Sequence, residues 1–101
     1  MKYQITYRTR ASNEYLASII WYKERSDYAA ENFIKAINKT VELLSANPYI
    51  NKNTYKQFYE IRTKIFPFSI VYFIVEPTKR IVIVSIFHHS RNPRKKFSDK
   101  D

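Results

Sequence analysis

Apolar and polar positions alternate from Lys2 to Arg8, with Tyr3, Ile5 and Tyr7 on one face, so residues 2–8 are predicted to form a half-buried strand. The period then lengthens. Thr9 to Asn13 offers capping residues, and Leu16, Ile19 and Ile20, with Tyr15 and Tyr22, form an apolar stripe that predicts a helix over about Ser12 to Arg25. Ala30, Phe33, Ile37, Val41 and Leu44 repeat that spacing in a second helix, capped by Ser26 or Asp27 and running to about Ala46. Asn47-Pro48 ends it, because proline lacks an N–H and disfavours helix in the residue before it. With so short a connection the two helices are predicted to form an antiparallel hairpin.

Residues 49–57 read as polar loop. From Phe58 the period is two: Tyr59, Ile61, Thr63 and Ile65 share one side, Glu60, Arg62 and Lys64 the other. Phe66-Pro67 turns the chain, and the β-branched stretch Phe68 to Glu76 reads as a strand. Glu76-Pro77-Thr78-Lys79 is a tight turn, Arg80 to Phe87 the last strand, and about 89–101 a basic tail. The order β-α-α-β-β-β predicts an α+β domain spanning 1–101, a helical hairpin packed on a small, mostly antiparallel, curved sheet.

The last two strands are apolar on both faces. Phe68, Ile70, Tyr72 and Ile74 oppose Val71, Phe73 and Val75; Ile81, Ile83 and Ser85 oppose Val82, Val84 and Ile86. One sheet face lies away from the hairpin, and it is expected to bind a partner; the alternative is that sheet curvature and the tail close it.

Composition narrows the chemistry. The 101 residues include no glycine and no cysteine. Glycine-dependent phosphate loops, dinucleotide fingerprints and oxyanion turns are thereby excluded, and so are disulfides and thiolate metal sites. No cofactor is expected. The longest apolar run, Ile70 to Val75, is too short to span a bilayer, and the opening residues lack the apolar stretch of a signal peptide, so a cytosolic protein is expected. Formal net charge is +9. It is uneven: residues 1–50 hold 7 basic and 5 acidic side chains, residues 51–101 hold 11 and 4. A basic half points to an anionic partner, nucleic acid or an acidic protein segment, or serves solubility alone.

Phe66-Pro67-Phe68-Ser69-Ile70-Val71-Tyr72, followed by Ile81 to Phe87 and His88-His89-Ser90-Arg91-Asn92-Pro93, resembles the ending shared by RelE/ParE toxins of type II toxin–antitoxin modules. The early strand, the Trp21-Tyr22 pair in the first helix and the Asn47-Pro48 stop agree in kind, so the likeness covers about residues 2–95 and leans towards the ParE-like branch. It implies the same two helices on a sheet. It also implies a growth inhibitor of the plasmid-stabilisation type, silenced in a hetero-oligomer by a cognate antitoxin whose C-terminal segment is disordered until bound. ParE-type members poison DNA gyrase; others cleave mRNA on the ribosome.

Metal-free RNA cleavage needs a base for the 2′-OH, cations on the phosphate and an acid for the leaving oxygen. Arg62 and Lys64 are the candidate cations, projecting together from one strand, and His88, His89 or Tyr59 the candidate acids and bases; Arg62, Lys64 and His88 form the favoured trio. RNA-cleaving relatives usually carry an arginine two or three residues before the Val-Tyr pair. Ser69 stands there, which argues for the gyrase mechanism. Lys56, Arg80, Arg91, Arg94 and Lys95 are the candidate contacts to a partner or to nucleic acid, and a plain nucleic-acid-binding module is the third reading. Each has a structural alternative: Arg62 and Lys64 as a solvated strand face, Arg91 as a strand terminator, Trp21 and Tyr22 as packing. Adjacent histidines on a strand point oppositely, so His88 and His89 make no metal site.

Overall fold

The structure is a computed structural model that describes residues 2–97; Met1 and residues 98–101, including Asp99, Lys100 and Asp101 of the expected tail, lie outside the described residues. In chain order come β1 (Gln4–Tyr7), α1 (Thr9–Lys23), α2 (Asp27–Ala46), β2 (Asn53–Tyr55), β3 (Phe58–Arg62), β4 (Phe68–Val75) and β5 (Arg80–His88). The sheet is five-stranded in the order β1-β5-β4-β3-β2, with β1 parallel to β5 and the other pairs antiparallel. The helical hairpin covers one face.

α1 starts earlier than the Ser12 expectation. Arg8 N–H donates to Ile83 O, so β1 pairs right up to the helix, and Ser12 N–H then donates to Arg8 O. The early start puts Ala11, fully buried, against the sheet. α2 behaves as its spacing predicts: Ser26 Oγ accepts from Ala29 N, Phe33, Ile37 and Leu44 are fully buried, and the helix ends at Ala46 before Pro48. Phe33 sits among the rings of Tyr15, Tyr22, Phe66 and Phe68.

Residues 49–57 are not all loop. Asn53–Tyr55 form an exposed edge strand, closed onto β3 by a two-residue turn in which Asn53 Nδ2 donates to Lys56 O and Phe58 O. All three residues lie in the exposed class and none alternates into the core, so periodicity could not reveal this strand. β3 also ends at Arg62 rather than Ile65. Thr63 is buried with its Oγ1 donating to the Phe66 and Phe68 carbonyls. Phe66 N–H donates to Lys64 O, which makes Ile65, at φ 76°, the centre of a γ-turn of the strained positive-φ kind. Ile65 is 96% exposed.

β5 carries a bulge that period two does not show. Val71 faces Ser85 while Tyr72 faces Ile83, leaving Val84 as the extra residue. Faces therefore switch beyond it. Ile86 joins Ile81 and Ile83 on the hairpin side, and Phe87 joins Val82 and Val84 on the far side, correcting the expected grouping of Ile86. Glu14 of α1 meets the bulge. Its Oε1 accepts from Ser85 Oγ at 2.7 Å and Ile86 N at 3.1 Å, and its Oε2 pairs with Arg10 and Arg91.

The sheet face away from the hairpin is not left open. Phe58, Val71, Val82, Val84 and Phe87 are buried there, with Phe73, Val75 and Phe97 packed on them. The tail supplies much of this cover. Arg10 Nη2 donates to Lys95 O, Lys96 Nζ binds Glu60 at 3.0 Å, and Phe97 stacks on Phe58. At the opposite end, Tyr3 Oη donates to Glu76, whose carboxylate also binds Tyr49 and Lys79, so the β4–β5 turn is tied to β1.

Candidate functional site

α1 carries a stripe of exposed apolar side chains on its outer side. Ala11, Tyr15, Ile19 and Tyr22 face inward, as helical spacing allows. Leu16 and Ile20, expected in that inward stripe, instead face out at 57% and 51% exposed, beside Trp21 at 50%. An apolar residue set on both sides of a helix marks it for burial on both sides. The Arg25 guanidinium lies 3.5 Å over the Trp21 ring. Next to this stripe runs a groove of about 780 Å³. Ala17, Trp21 and Tyr22 form one wall, Pro67, Phe68 and Ile86 the other, and His88, Ser90 and Arg91 one end.

A second, smaller recess of about 310 Å³ opens on the far face between Glu60, Arg62, Ser69, Phe87, His89, Pro93 and Lys96. Ser69 is fully buried, and its Oγ lies 2.9 Å from His89 Nε2. Burial makes Ser69 a holder of the ring rather than a nucleophile. The His89 pKa is lowered, first by desolvation and then by the Arg62 and Lys96 charges, which favours the neutral ring. Glu60 answers Lys96 directly. Arg62 has no hydrogen bond or ion pair among the described residues.

The favoured trio does not converge. Arg62 lines the far-face cleft. Lys64 lies beyond β3, exposed in the bend before Pro67, which corrects the expectation that it projects from the same strand. His88 lines the hairpin-side groove, edge-on to Phe68, and its Nδ1 accepts from Ser90 N at 3.0 Å. A backbone N–H can only donate, so a neutral His88 carries its proton on Nε2. His89, the neighbouring candidate, shares the cleft with Arg62. Tyr59 lies against Tyr72 in a stacked pair on the hairpin side.

The five candidate partner contacts are also dispersed. Lys56 sits in the β2–β3 turn with its Nζ 5.2 Å from the Tyr55 ring. Arg80 opens β5, opposite Gln4 and Val75, at the far end of that strand from Arg91. Arg91 is paired with Glu14. Arg94 and Lys95 are exposed in a 3₁₀ turn, Pro93–Lys95, whose cap is Asn92 Oδ1 accepting from Arg94 N. Lys96 was missed. The Asn-Pro pair, a cap residue followed by proline at the first helical position, is the signal that would have folded the tail back and found it.

The family model for the ParE toxin of the type II toxin–antitoxin system parDE matches residues 5–93. The chain belongs to the ParE toxin family. Solved structures place this ParE-family chain in a wider fold. The chromosomal ParDE system of P. aeruginosa superposes with a TM-score of 0.72 at 15% identity, over 86% of this chain and 96% of that one. E. coli RelE in its free state gives 0.61 at 16%, over 89% and 86%. The intact E. coli RelBE toxin–antitoxin complex gives 0.57 at 21%, over 88% and 99%. At such identities the likeness is one of fold: two helices on a mixed sheet. No curated protein matches the chain. Among the described residues, no helix is long and apolar enough to cross a membrane and no cluster of metal-ligating side chains occurs.

Proposed function

We propose that this ParE-family toxin inhibits growth by poisoning DNA gyrase in the cytosol and is neutralised by a cognate antitoxin. The observation that carries the antitoxin is the outward face of α1. Leu16, Ile20 and Trp21 stand exposed beside a mostly apolar groove, on a chain with net charge +9. An amphipathic acidic segment that orders on binding would bury the stripe and offset the charge. For the target, the dispersal of Arg62, Lys64 and His88 supports a mechanism that needs no catalytic centre. The second reading, a ribosome-dependent mRNA endonuclease, draws on Arg62 and His89 sharing one cleft.

Purified chain is expected to stall gyrase-driven supercoiling and to leave ribosome-bound mRNA intact. Codon-register cuts that vanish in Arg62→Ala would reverse the ranking. Adding the antitoxin encoded beside it is expected to restore supercoiling, and Trp21→Ala to weaken that rescue.

A further inference from the structure

The connection between β3 and β4 is a braced knuckle with an apolar tip. Thr63 holds its base: its N–H donates to Phe68 O, and its Oγ1 donates to the carbonyls of Phe66 and Phe68. Consecutive γ-turns shape it, Phe66 N–H to Lys64 O and Phe68 N–H to Phe66 O, each at 2.8 Å. The Phe66 ring anchors it on the core, with its centroid 5.3 Å from that of Tyr22 and 5.5 Å from that of Phe33. His89 N–H donates to Pro67 O and ties it to the end of β5.

Ile65 stands at the summit. Its side chain is 96% exposed, and its φ is 76°. That angle is unfavourable for a branched side chain, and glycine or asparagine would occupy it with less strain. The other described residues at positive φ, Lys56 and Lys79, are unbranched and polar. Folding gains almost nothing from the Ile65 side chain and bears its strain. Backbone outliers of this kind cluster where a protein makes functional contacts.

The surroundings define the chemistry of a partner. Arg62 and Lys64 flank the tip and are both exposed, and no acidic residue occurs between Glu60 and Glu76. A protruding aliphatic side chain fits a concave apolar pocket, and flanking cations fit carboxylates on its rim. An aliphatic tip has no π-face on which a nucleobase could stack, which favours protein as the partner.

We infer that Ile65 is the anchor by which this toxin engages its protein target, entering an apolar pocket with an acidic rim. This rests on the toxin reading above, with gyrase as the target, and adds the contact residue. Pro67 lines the hairpin-side groove together with Trp21. An antitoxin lying along α1 therefore stands beside the knuckle and blocks its approach without needing Ile65.

The test compares Ile65→Asn and Ile65→Met with the wild type. Asparagine tolerates the backbone angle, so the urea midpoint of Ile65→Asn is expected to hold or rise. The concentration that halves gyrase supercoiling is expected to rise about thirtyfold in Ile65→Asn. It should stay within about threefold in Ile65→Met, which keeps an unbranched apolar tip. Calorimetric affinity for the cognate antitoxin is expected to be unchanged in both. The anchor is overturned if Ile65→Asn stalls gyrase as the wild type does, if Ile65→Met fails as Ile65→Asn does, or if antitoxin affinity falls as steeply as inhibition. A mobility shift of duplex DNA alone that Ile65→Asn abolishes also overturns it, and assigns the tip to a wedge between base steps. Growth arrest on induction separates the anchor from the gyrase reading. A wild type that arrests growth without stalling supercoiling refutes gyrase, and the anchor then stands only if Ile65→Asn abolishes the arrest. A wild type that does neither overturns both.

Discussion

His88 and His89 are neighbours in sequence and open into recesses on opposite sides of one sheet. The His88 side is broad, mostly apolar and walled by α1; the His89 side is narrow, polar and cationic. They also differ in what finishes them. On the far face the chain's own tail lays Phe97 and Lys96 over the apolar residues. On the hairpin side Leu16, Ile20 and Trp21 are left about half exposed among the described residues. An apolar residue inside a finished face contributes to folding; one on an unfinished face is free to contribute to binding, as proposed for α1. That division can be broken by substitution.

The largest effect is expected at Phe87, fully buried under the tail. Phe87→Ala should cost about 3–5 kcal/mol of unfolding free energy, read by urea denaturation. A loss below about 1 kcal/mol would mean that the far face is not core. Trp21→Ala is the counterpart. Its unfolding midpoint should hardly move, while calorimetric titration with the antitoxin should show a loss of about 2 kcal/mol or more in affinity. Glu14 joins the two regions, because it satisfies the bulge amide of Ile86 and pairs with Arg91 at the groove's end. Glu14→Ala should cost about 1–3 kcal/mol of stability by orphaning that buried N–H. Arg91→Ala, half-exposed, should cost at most about 1 kcal/mol in the same measurement.

The smallest effect concerns acid. Hydrogen bonds from Lys79, Tyr49 and Tyr3 hold the Glu76 pKa down to about 2 from 4.5. A carboxylate whose folded pKa lies below its unfolded value stabilises the fold above about pH 4.5, and that contribution is lost as pH falls towards 2. The Glu76 side chain is about half-exposed, so solvent screening keeps the slope shallow. Urea midpoints measured across that window should fall in the wild type and flatten in Glu76→Gln. The Tyr49 phenol shares the hydrogen bond and is pushed up to about 12.

How far the sequence could be read follows from where information is repeated. α2 has one apolar stripe, and Ala30, Phe33, Ile37 and Leu44 are buried as their spacing requires. α1 has two overlapping stripes, and periodicity cannot choose between Ile19 and Ile20; the bulge contact of Glu14 decides it. The bulge itself is invisible, because Val84, Ser85 and Ile86 alternate as any strand would until their pairing is known. β2 lacks an apolar side altogether. The histidine pair was legible as divergent, yet only the bulge-shifted register says that His89, not His88, turns towards Arg62. The cleft's remaining member, Lys96, depends on a folded tail that composition presents only as charge.

The parallel pairing of β1 with β5 has a consequence in time. Tyr3 reaches Glu76 across 73 positions of chain, and Gln4 N–H donates to Lys79 O. Contacts so remote in sequence are the slow ones to form. On a translating ribosome the first strand must wait, unpaired, until the final one has emerged. Both recesses need residues from the closing segment, His88 to Arg91 for one and His89 to Lys96 for the other. A nascent or truncated copy therefore carries neither, and both recesses close only when synthesis is nearly complete.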